Sequence, residues 1–512
     1  MPLVVGVFVY AVLFIALLPH FRYQLNPDGV SYLSVANKYF LHDWKNAING
    51  YWGPLYSWFL AVGLNFLQDK LLVAKIVNGI IGAFGLVIFS LIICRYNLPK
   101  YLSLVFNSIA AIWLSYFALV VITPDLLIVT LLLLFIFLLV KVSDFSKYSQ
   151  IVVIALVGTL LYLTKSFYLF FVPVIFIVFA FIQSIHNSKL RKQIVKGSVL
   201  FLIFFVLFSS IWSLILSTKY NRFTFGTSGK YNIALIGPGG MHPTLTLGLL
   251  PVSDVDAVSS WDDPTTLSMA KWSPLQSKSS LGFYLGRVHE NIDYLYQLIS
   301  KFWPMAIAIL IFGFAVAIKR KESILAFFTL SIFALFAAYA LILPEERYVW
   351  VAIFLLMLIV AELWSNLGMT NYFKNHLGIL VSALMLVTAV IFPLDMLRSL
   401  KDVGRSDWLL VGEINRVADF SGKKIASNGS WNQNLSITSQ IDGKYLGKVS
   451  DVVNGKDIVD EQFREQQPDY YFYWPAHDIP LGGKTYPKNV SKVLAATVRS
   501  GNDLLEIYKL SY

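Results

Sequence analysis

Residues 123–140 read TPDLLIVTLLLLFIFLLV. Behind Thr123, Pro124 and Asp125 come fifteen residues without a charge. Such a run is either a buried helix or a membrane span, and the rest of the chain decides between them. Comparable apolar runs lie at about 3–19, 71–94, 101–122, 124–141, 150–164, 166–184, 197–217, 302–319, 323–343, 347–365 and 376–394. A bilayer core about 30 Å thick takes about 20 apolar residues per helix. The spacing therefore predicts a mainly α, polytopic transmembrane helix bundle of about eleven spans. Composition agrees: of 512 residues, 57% are hydrophobic and 14% charged, against roughly 25% charged in soluble domains.

The net charge of +11 reads as cytoplasmic-loop Lys and Arg facing anionic headgroups, not as nucleic-acid binding. The single cysteine, Cys94, can form no internal disulfide. Residues 3–19 lack a basic leader and a small-residue cleavage site, so they read as a retained first span. With the N-terminus inside, the inner loops are RYNLPK, KVSDFSKYSQ, HNSKLRKQIVK, KRKE and WSNLGMTNYFKNH. Together they carry 12 Lys and Arg against 2 acidic residues, the bias of inside loops. This orientation puts the Asp28 loop, the 218–301 loop, the LPEER turn and the C-terminal tail outside.

Two domains are expected. Residues 1–394 form the membrane unit, with external loops 20–70 and 218–301. Residues 395–512, which hold no span and many more charges, form a small extracytoplasmic α/β domain. There KKIASNG and DYYFYW read as strands, and LLVGEINRVADF and DIVDEQFREQ as amphipathic helices. Three N-x-S sequons fall at Asn428, Asn434 and Asn489. They matter only in a host that glycosylates exported chains.

The first external loop, LNPDGVSYLSVANKYF at 25–40, places Val30, Leu33, Ala36, Tyr39 and Phe40 on one helical face. Ser31, Ser34, Asn37 and Lys38 fall on the other. That pattern predicts an interfacial helix. LYSWFLAVGLNFL at 55–67 follows as a second helix, entered through Gly53-Pro54. Asp28 by itself reads as a cap from a Pro-Asp-Gly turn. Other charges at the outer ends of spans change the picture: Lys75, Asp125, Lys165, and the Glu345-Glu346-Arg347 trio. An ionisable group at mid-membrane costs ~2.5–3.5 kcal/mol on insertion scales, so such groups line cavities or face partners. Each has an ordinary alternative: Lys75 snorkels, Asp125 caps its helix, Lys165 meets headgroups. Their common depth describes one outward-facing polar pocket.

NPDGVSYLSVANKYF followed by WGPLYSWFLA resembles the first external loop of GT-C glycosyltransferases, in their bacterial protein-mannosyltransferase-like branch. TPDLLIVTLLLLFIFLLV is similar to that family's second acidic position, LLYLTKSFYLFFVP to its Thr-Lys hairpin, and PEERYVWVAIFLLML to its Glu-Arg-Tyr entry into a late span. The resemblance covers most of residues 1–365. It departs at Asp28-Gly29, where many relatives have two acids together, and at the single proline before Leu55.

This resemblance implies an inverting sugar transfer from a polyprenyl-phosphate donor to an acceptor at the outer face of a bacterial inner (plasma) membrane. The acceptor class (protein, lipid or glycan) stays open. Asp28 is the implied general base, with Asp125 as the second acid, orienting the acceptor or a basic neighbour. Lys165 and Arg347 would bind the donor phosphate, Arg347 through a forked guanidinium. Tyr32, Glu345, Glu346, Tyr348 and Lys75 are supporting residues. No metal ligands are assigned and no particular cofactor is implied; dependence on a divalent metal stays open. In the 218–301 loop, GPGG reads as a turn, Trp261 and Trp272 as sugar-stacking or membrane-belt residues, and His242 has no second ligand at metal spacing. A lipid-linked-sugar transporter or flippase, and a polysaccharide polymerase or ligase, are the rival readings. A transporter would also need an inner polar pocket, and the inner halves of the spans show little ionisable content.

Overall fold

The computed structural model describes the chain apart from residues 97, 143–144, 146, 239, 241, 243–247, 268–271, 367–370, 450–451, 454–455, 458, 478–486, 488–489 and 501–502. The helices are α1 (Pro2–Phe21), α2 (Pro27–Phe40), α3 (Trp44–Ala47), α4 (Pro54–Leu64), α5 (Lys70–Ile93), α6 (Lys100–Val120), α7 (Asp125–Lys141), α8 (Tyr148–Thr164), α9 (Tyr168–His186), α10 (Arg191–Tyr220), α11 (Ser228–Leu235), α12 (Lys278–Phe302), α13 (Ala306–Arg320), α14 (Ser323–Ala340), α15 (Val351–Asn366) and α16 (Asn371–Ser399). Helices α17 (Arg405–Ile414), α18 (Trp431–Gln440) and α19 (Val459–Gln466) belong to the tail.

Every expected span has a helix beneath it. Among the described residues, eight helices are long and apolar enough to cross a membrane, or nine if α12 and α13 count as one broken span. The difference from eleven lies in α7 and α8, 17 residues each, and α13, 15 residues. At 1.5 Å per residue these reach only about 22–26 Å. Helix α7 is mostly buried among its neighbours, so protein rather than lipid matches its length. Helix α15 is buried all round. Its start is held by Trp350, stacked on Phe117 of α6 with ring centroids 3.9 Å apart.

The expected surface helices α2 and α4 pack on each other, joined by Ser57 Oγ donating to the Tyr32 carbonyl at 3.2 Å. The polar face of α2 is covered: Ser31, Ser34 and Lys38 are all buried.

In the tail, five strands pair in the order β2-β1-β5-β7-β6. They are β1 (Lys424–Ser427), β2 (Lys444–Lys448), β5 (Tyr470–Tyr473), β6 (Ser491–Ser500) and β7 (Asp503–Ser511), with β3 (Val452–Val453) and β4 (Lys456–Asp457) forming a separate pair. Strand β1 runs parallel to β2 and β5, and β7 antiparallel to β5 and β6. Alternate residues face opposite layers, as a strand requires. Ile425 and Phe472 meet Leu410 and Ile414 of α17, while Ala426 and Tyr471 meet Phe463 of α19.

Two of the three sequon asparagines are internal. Asn428 brackets Trp474, accepting from its backbone N–H at 2.7 Å and donating to its carbonyl at 3.0 Å. Asn434 Oδ1 accepts from the Trp474 indole N–H at 3.0 Å. Asn489 lies outside the described residues.

Candidate active site

Four turns meet at one end of the bundle, the end expected to face outward. The first opens α2, whose N-cap is Asn26, with Asp28 inside the first turn. Asp28 is therefore not the cap. Asn26 does not cap through its side chain either. Its Oδ1 accepts from the Ile122 backbone N–H at 3.0 Å, which ties the start of α2 to the α6–α7 turn. Gly29 packs on the same turn. A Cβ there would lie 2.9 Å from the Ile122 side chain, so the missing second acid at this position has a steric cause. The second turn, Thr123-Pro124, starts α7 with Asp125 as its first residue. The third is the α8–α9 hairpin with Lys165, and the fourth the 3₁₀ turn Glu346–Val349 that enters α15.

These turns bring Asp28, Asp125, Lys165 and Arg347 together. Arg347 Nη2 donates to Asp28 Oδ2 at 2.5 Å, and Lys165 Nζ to Asp125 Oδ1 at 2.5 Å. Arg347 Nε faces Asp125 Oδ2 at 3.5 Å without a hydrogen bond. The four side chains are 4–22% exposed, so their pairing is far less screened than at a surface. Burial pushes the Lys165 pKa down, and Asp125 beside it pulls the other way.

Tyr348 turns its ring to Lys165, whose Nζ lies 3.9 Å from the centroid, within cation–π range. Tyr348 in turn stacks on Tyr339 at 5.1 Å. Tyr32 sits edge-on to Trp52 and Tyr56 at 5.0 and 5.3 Å. Glu345 is close enough to Arg347 to feel its charge, but burial dominates and raises its pKa. Glu346 points elsewhere and accepts from the Tyr116 hydroxyl at 2.8 Å. Lys75 lies outside the cluster, donating to the Leu119 carbonyl at 2.6 Å, while Asn78 donates to the Val121 carbonyl at 3.0 Å. Both satisfy the open carbonyls at the end of α6, the helix that leads into the Asp125 turn.

The sequence reading missed one partner of Asp28. Trp261 Nε1 donates to Asp28 Oδ1 at 3.3 Å. A strap, residues 249–267, carries it. On one side the strap is bound to α2 and its neighbours: Lys38 Nζ to Asp254 at 2.7 Å, Ser31 Oγ to the Trp261 carbonyl at 3.2 Å, and Ser34 Oγ to Asp262. Trp52 Nε1 also donates to the Trp261 carbonyl, at 3.1 Å. On the other side it edges the sheet, where Leu250 N–H donates to the Leu446 carbonyl and Tyr445 N–H to the Val258 carbonyl, each at 2.7 Å. Burial raises the Asp262 pKa to about 6, with Lys38 opposing. The one available signal was Lys38 itself, a cation on a face expected to meet solvent, with acids at 254, 256, 262 and 263 needing partners.

His242 lies tilted against Trp261, with ring centroids 4.4 Å apart. The GPGG stretch turns through Gly240 N–H donating to the Gly237 carbonyl, with Gly239 outside the described residues. Among the described residues, no three His, Cys, Asp or Glu side chains gather as a metal would need. Asp28 Oδ2 is turned to Arg347 and Asp125 Oδ1 to Lys165.

No family model matches the sequence, and no curated protein matches it. The fold does match solved structures. With a TM-score of 0.61 and 11% identity, the chain is similar to ArnT from Cupriavidus metallidurans bound to undecaprenyl phosphate, over 98% of this chain and 97% of that one. It is also similar to the apo oligosaccharyltransferase of Archaeoglobus fulgidus (TM-score 0.57, 10% identity, 92% and 69% covered). AglB of the same organism, in complex with an inhibitory peptide and a dolichol-phosphate, matches with a TM-score of 0.55 at 10% identity, again over 92% and 69%. At these identities the likeness is one of fold: this is a multi-pass membrane protein with the architecture of those structures.

Proposed function

We propose that the chain is a glycosyltransferase moving a sugar from a polyprenyl-phosphate donor to an acceptor on the outer face of the membrane, with inversion at the anomeric carbon. The observation that carries this reading is the meeting of Asp28, Asp125, Lys165 and Arg347 at the mouth of the bundle. The similar solved structures, one bound to undecaprenyl phosphate and one to a dolichol-phosphate, support the donor class. Four sequence motifs in the order of the protein-mannosyltransferase-like branch support that branch, in a bacterial plasma membrane with the N-terminus inside. Residues 1–394 are then the catalytic unit, and 395–512 an outer domain.

The chemistry follows from the pairings. A lipid-linked donor keeps its chain in the bilayer and brings a phosphate to the interface. Arg347 and Lys165 neutralise that phosphate, and the charge that grows on it as the anomeric C–O bond breaks. Binding phosphate draws Arg347 away from Asp28 and leaves this carboxylate free to take a proton. The acceptor hydroxyl attacks the anomeric carbon from the side opposite the phosphate. Its proton passes to Asp28, and the polyprenyl phosphate leaves with the electron pair of the broken bond. Asp125 holds Lys165 in place.

The test supplies membranes with labelled polyprenyl-phosphate sugars and follows which label moves, and onto what. Asp28→Asn is expected to lower transfer by roughly 10²–10⁴-fold while leaving insertion unchanged. Transfer by Asp28→Asn at the wild-type rate would overturn the base assignment. No label moved from any polyprenyl-phosphate sugar would overturn the proposed reaction.

A further inference from the structure

Helix α12 was not anticipated within the 218–301 loop. It runs for 25 residues, reaches Trp303-Pro304-Met305, and hands over to α13 at an angle of 101°. Helix α13 is lined by exposed Ile311, Phe312 and Ile318, as a lipid-facing helix would be. A helix at right angles to one that dips into the bilayer, joined to its end, runs along the bilayer surface.

The roll of α12 about its own axis is fixed. On one flank Asn291 Nδ2 donates to the Ala340 carbonyl at 2.9 Å and the Tyr284 hydroxyl to the Leu341 carbonyl at 2.6 Å. Both acceptors belong to the last turn of α14. Beside this flank lie Leu281, Leu285, Ile292 and Tyr296, which are 39, 57, 51 and 58% exposed. Their spacing of four, seven and four residues keeps them in one row on a 3.6-residue helix. The four row positions carry no charge; His289 borders the row on its exposed edge and faces Asp293 at 3.6 Å, and Glu290 sits on the opposite side. An apolar row next to a charged face on a helix parallel to the bilayer is the pattern of interfacial insertion.

We infer that α12 is a membrane-contact element, seated in the outer headgroup region with the Leu281–Tyr296 row against the acyl chains of the bilayer. The inference does not depend on the proposed reaction. A protein partner would have to approach along the level where α13 and α14 meet lipid, so the bilayer is the occupant.

The test uses full-length protein with Cys94, the only cysteine, replaced by Ser. Single cysteines at Leu285→Cys, Ile292→Cys, Glu290→Cys and Asp293→Cys are spin-labelled and reconstituted in phosphatidylcholine–phosphatidylglycerol vesicles. Labels at 285 and 292 are expected to collide more with oxygen than with a water-soluble nickel chelate, and labels at 290 and 293 the reverse. Equal nickel access at 285, 292 and 290 would overturn the inference. A second measurement needs no substitution. Wild-type protein in vesicles holding a carbene-generating phospholipid is irradiated, and adducts are mapped by mass spectrometry. Adducts on the row support the seat, and adducts on α13 and α14 without any at 281–296 sink it.

Discussion

Asp28 has two partners, and they make different demands on it. Arg347 binds one oxygen through a charge-assisted bond, and Trp261 the other through a neutral indole N–H. Under the proposed reaction the first bond is exchanged for phosphate, while the second stays and aims the carboxylate. A hydrogen bond to a charged group contributes roughly 1.5–3 kcal/mol. Trp261→Phe, which keeps the ring packed against Trp52, is therefore expected to lower turnover at least about tenfold with donor affinity unchanged; steady-state kinetics on both substrates checks this. A rise in donor KM alone would count against a positioning role for the indole. At this scale much of the cluster was legible. Asp28, Asp125, Lys165 and Arg347 each abut an apolar run, where a charge is expensive enough to need company. Trp261 was not legible, because a tryptophan in a long outer loop has several ordinary uses and nothing in its spacing points to Asp28.

Elements set the distances between these residues, and two of them are unusually constrained. Gly53 precedes α4 and lies on the backbone of the α8–α9 hairpin. A Cβ there would sit 2.2 Å from the Thr164 carbonyl oxygen, next to Lys165. Gly53→Ala is expected to push the hairpin off, to cost about 1–3 kcal/mol as overpacking does, and to lower the melting temperature in detergent. The strap at 249–267 is the other case. Burial holds the Asp262 pKa at about 6, above its ordinary 3.8. Between those values the folded strap keeps a proton that the unfolded chain has lost. The stability this adds is complete below about pH 4 and disappears as pH rises through 6. Amide exchange over 249–263, corrected for intrinsic rates, should show protection falling between pH 5 and 7, and Asp262→Asn should flatten that trend. Element prediction succeeded for the spans and for β1, β5 and α19, where the apolar period was clean. It missed α12, whose Gly282 and Gly286 weaken the helical signal. It also missed the β6–β7 hairpin, which pairs over nine positions although its own sequence alternates poorly.

The whole molecule is a bundle with a sheet leaning, through the strap, on the end that carries Asp28. A further tie joins them: Lys70 to Asp442 at 2.6 Å. A chain ending at residue 400 is expected to insert its spans yet lose one wall of the strap. Limited proteolysis of the solubilised truncation should then cut between 249 and 267, where the full chain resists. Unchanged resistance would mean that α2 holds the strap unaided. The bundle was legible because lipid demands long apolar runs. The leaning sheet was not, because its contacts join segments some 200 residues apart and leave no local pattern. The buried pair Asn428 and Asn434 bears on how the protein is made. Eukaryotic secretory cells add sugars to an Asn-x-Ser as the nascent polypeptide enters the lumen, before its amides have found Trp474. With the tail outside, as proposed, a glycan joined there would hold the tail open, so a yeast or insect-cell host would yield a misassembled product, whereas a bacterial one lacking that modification would let the indole close over both amides.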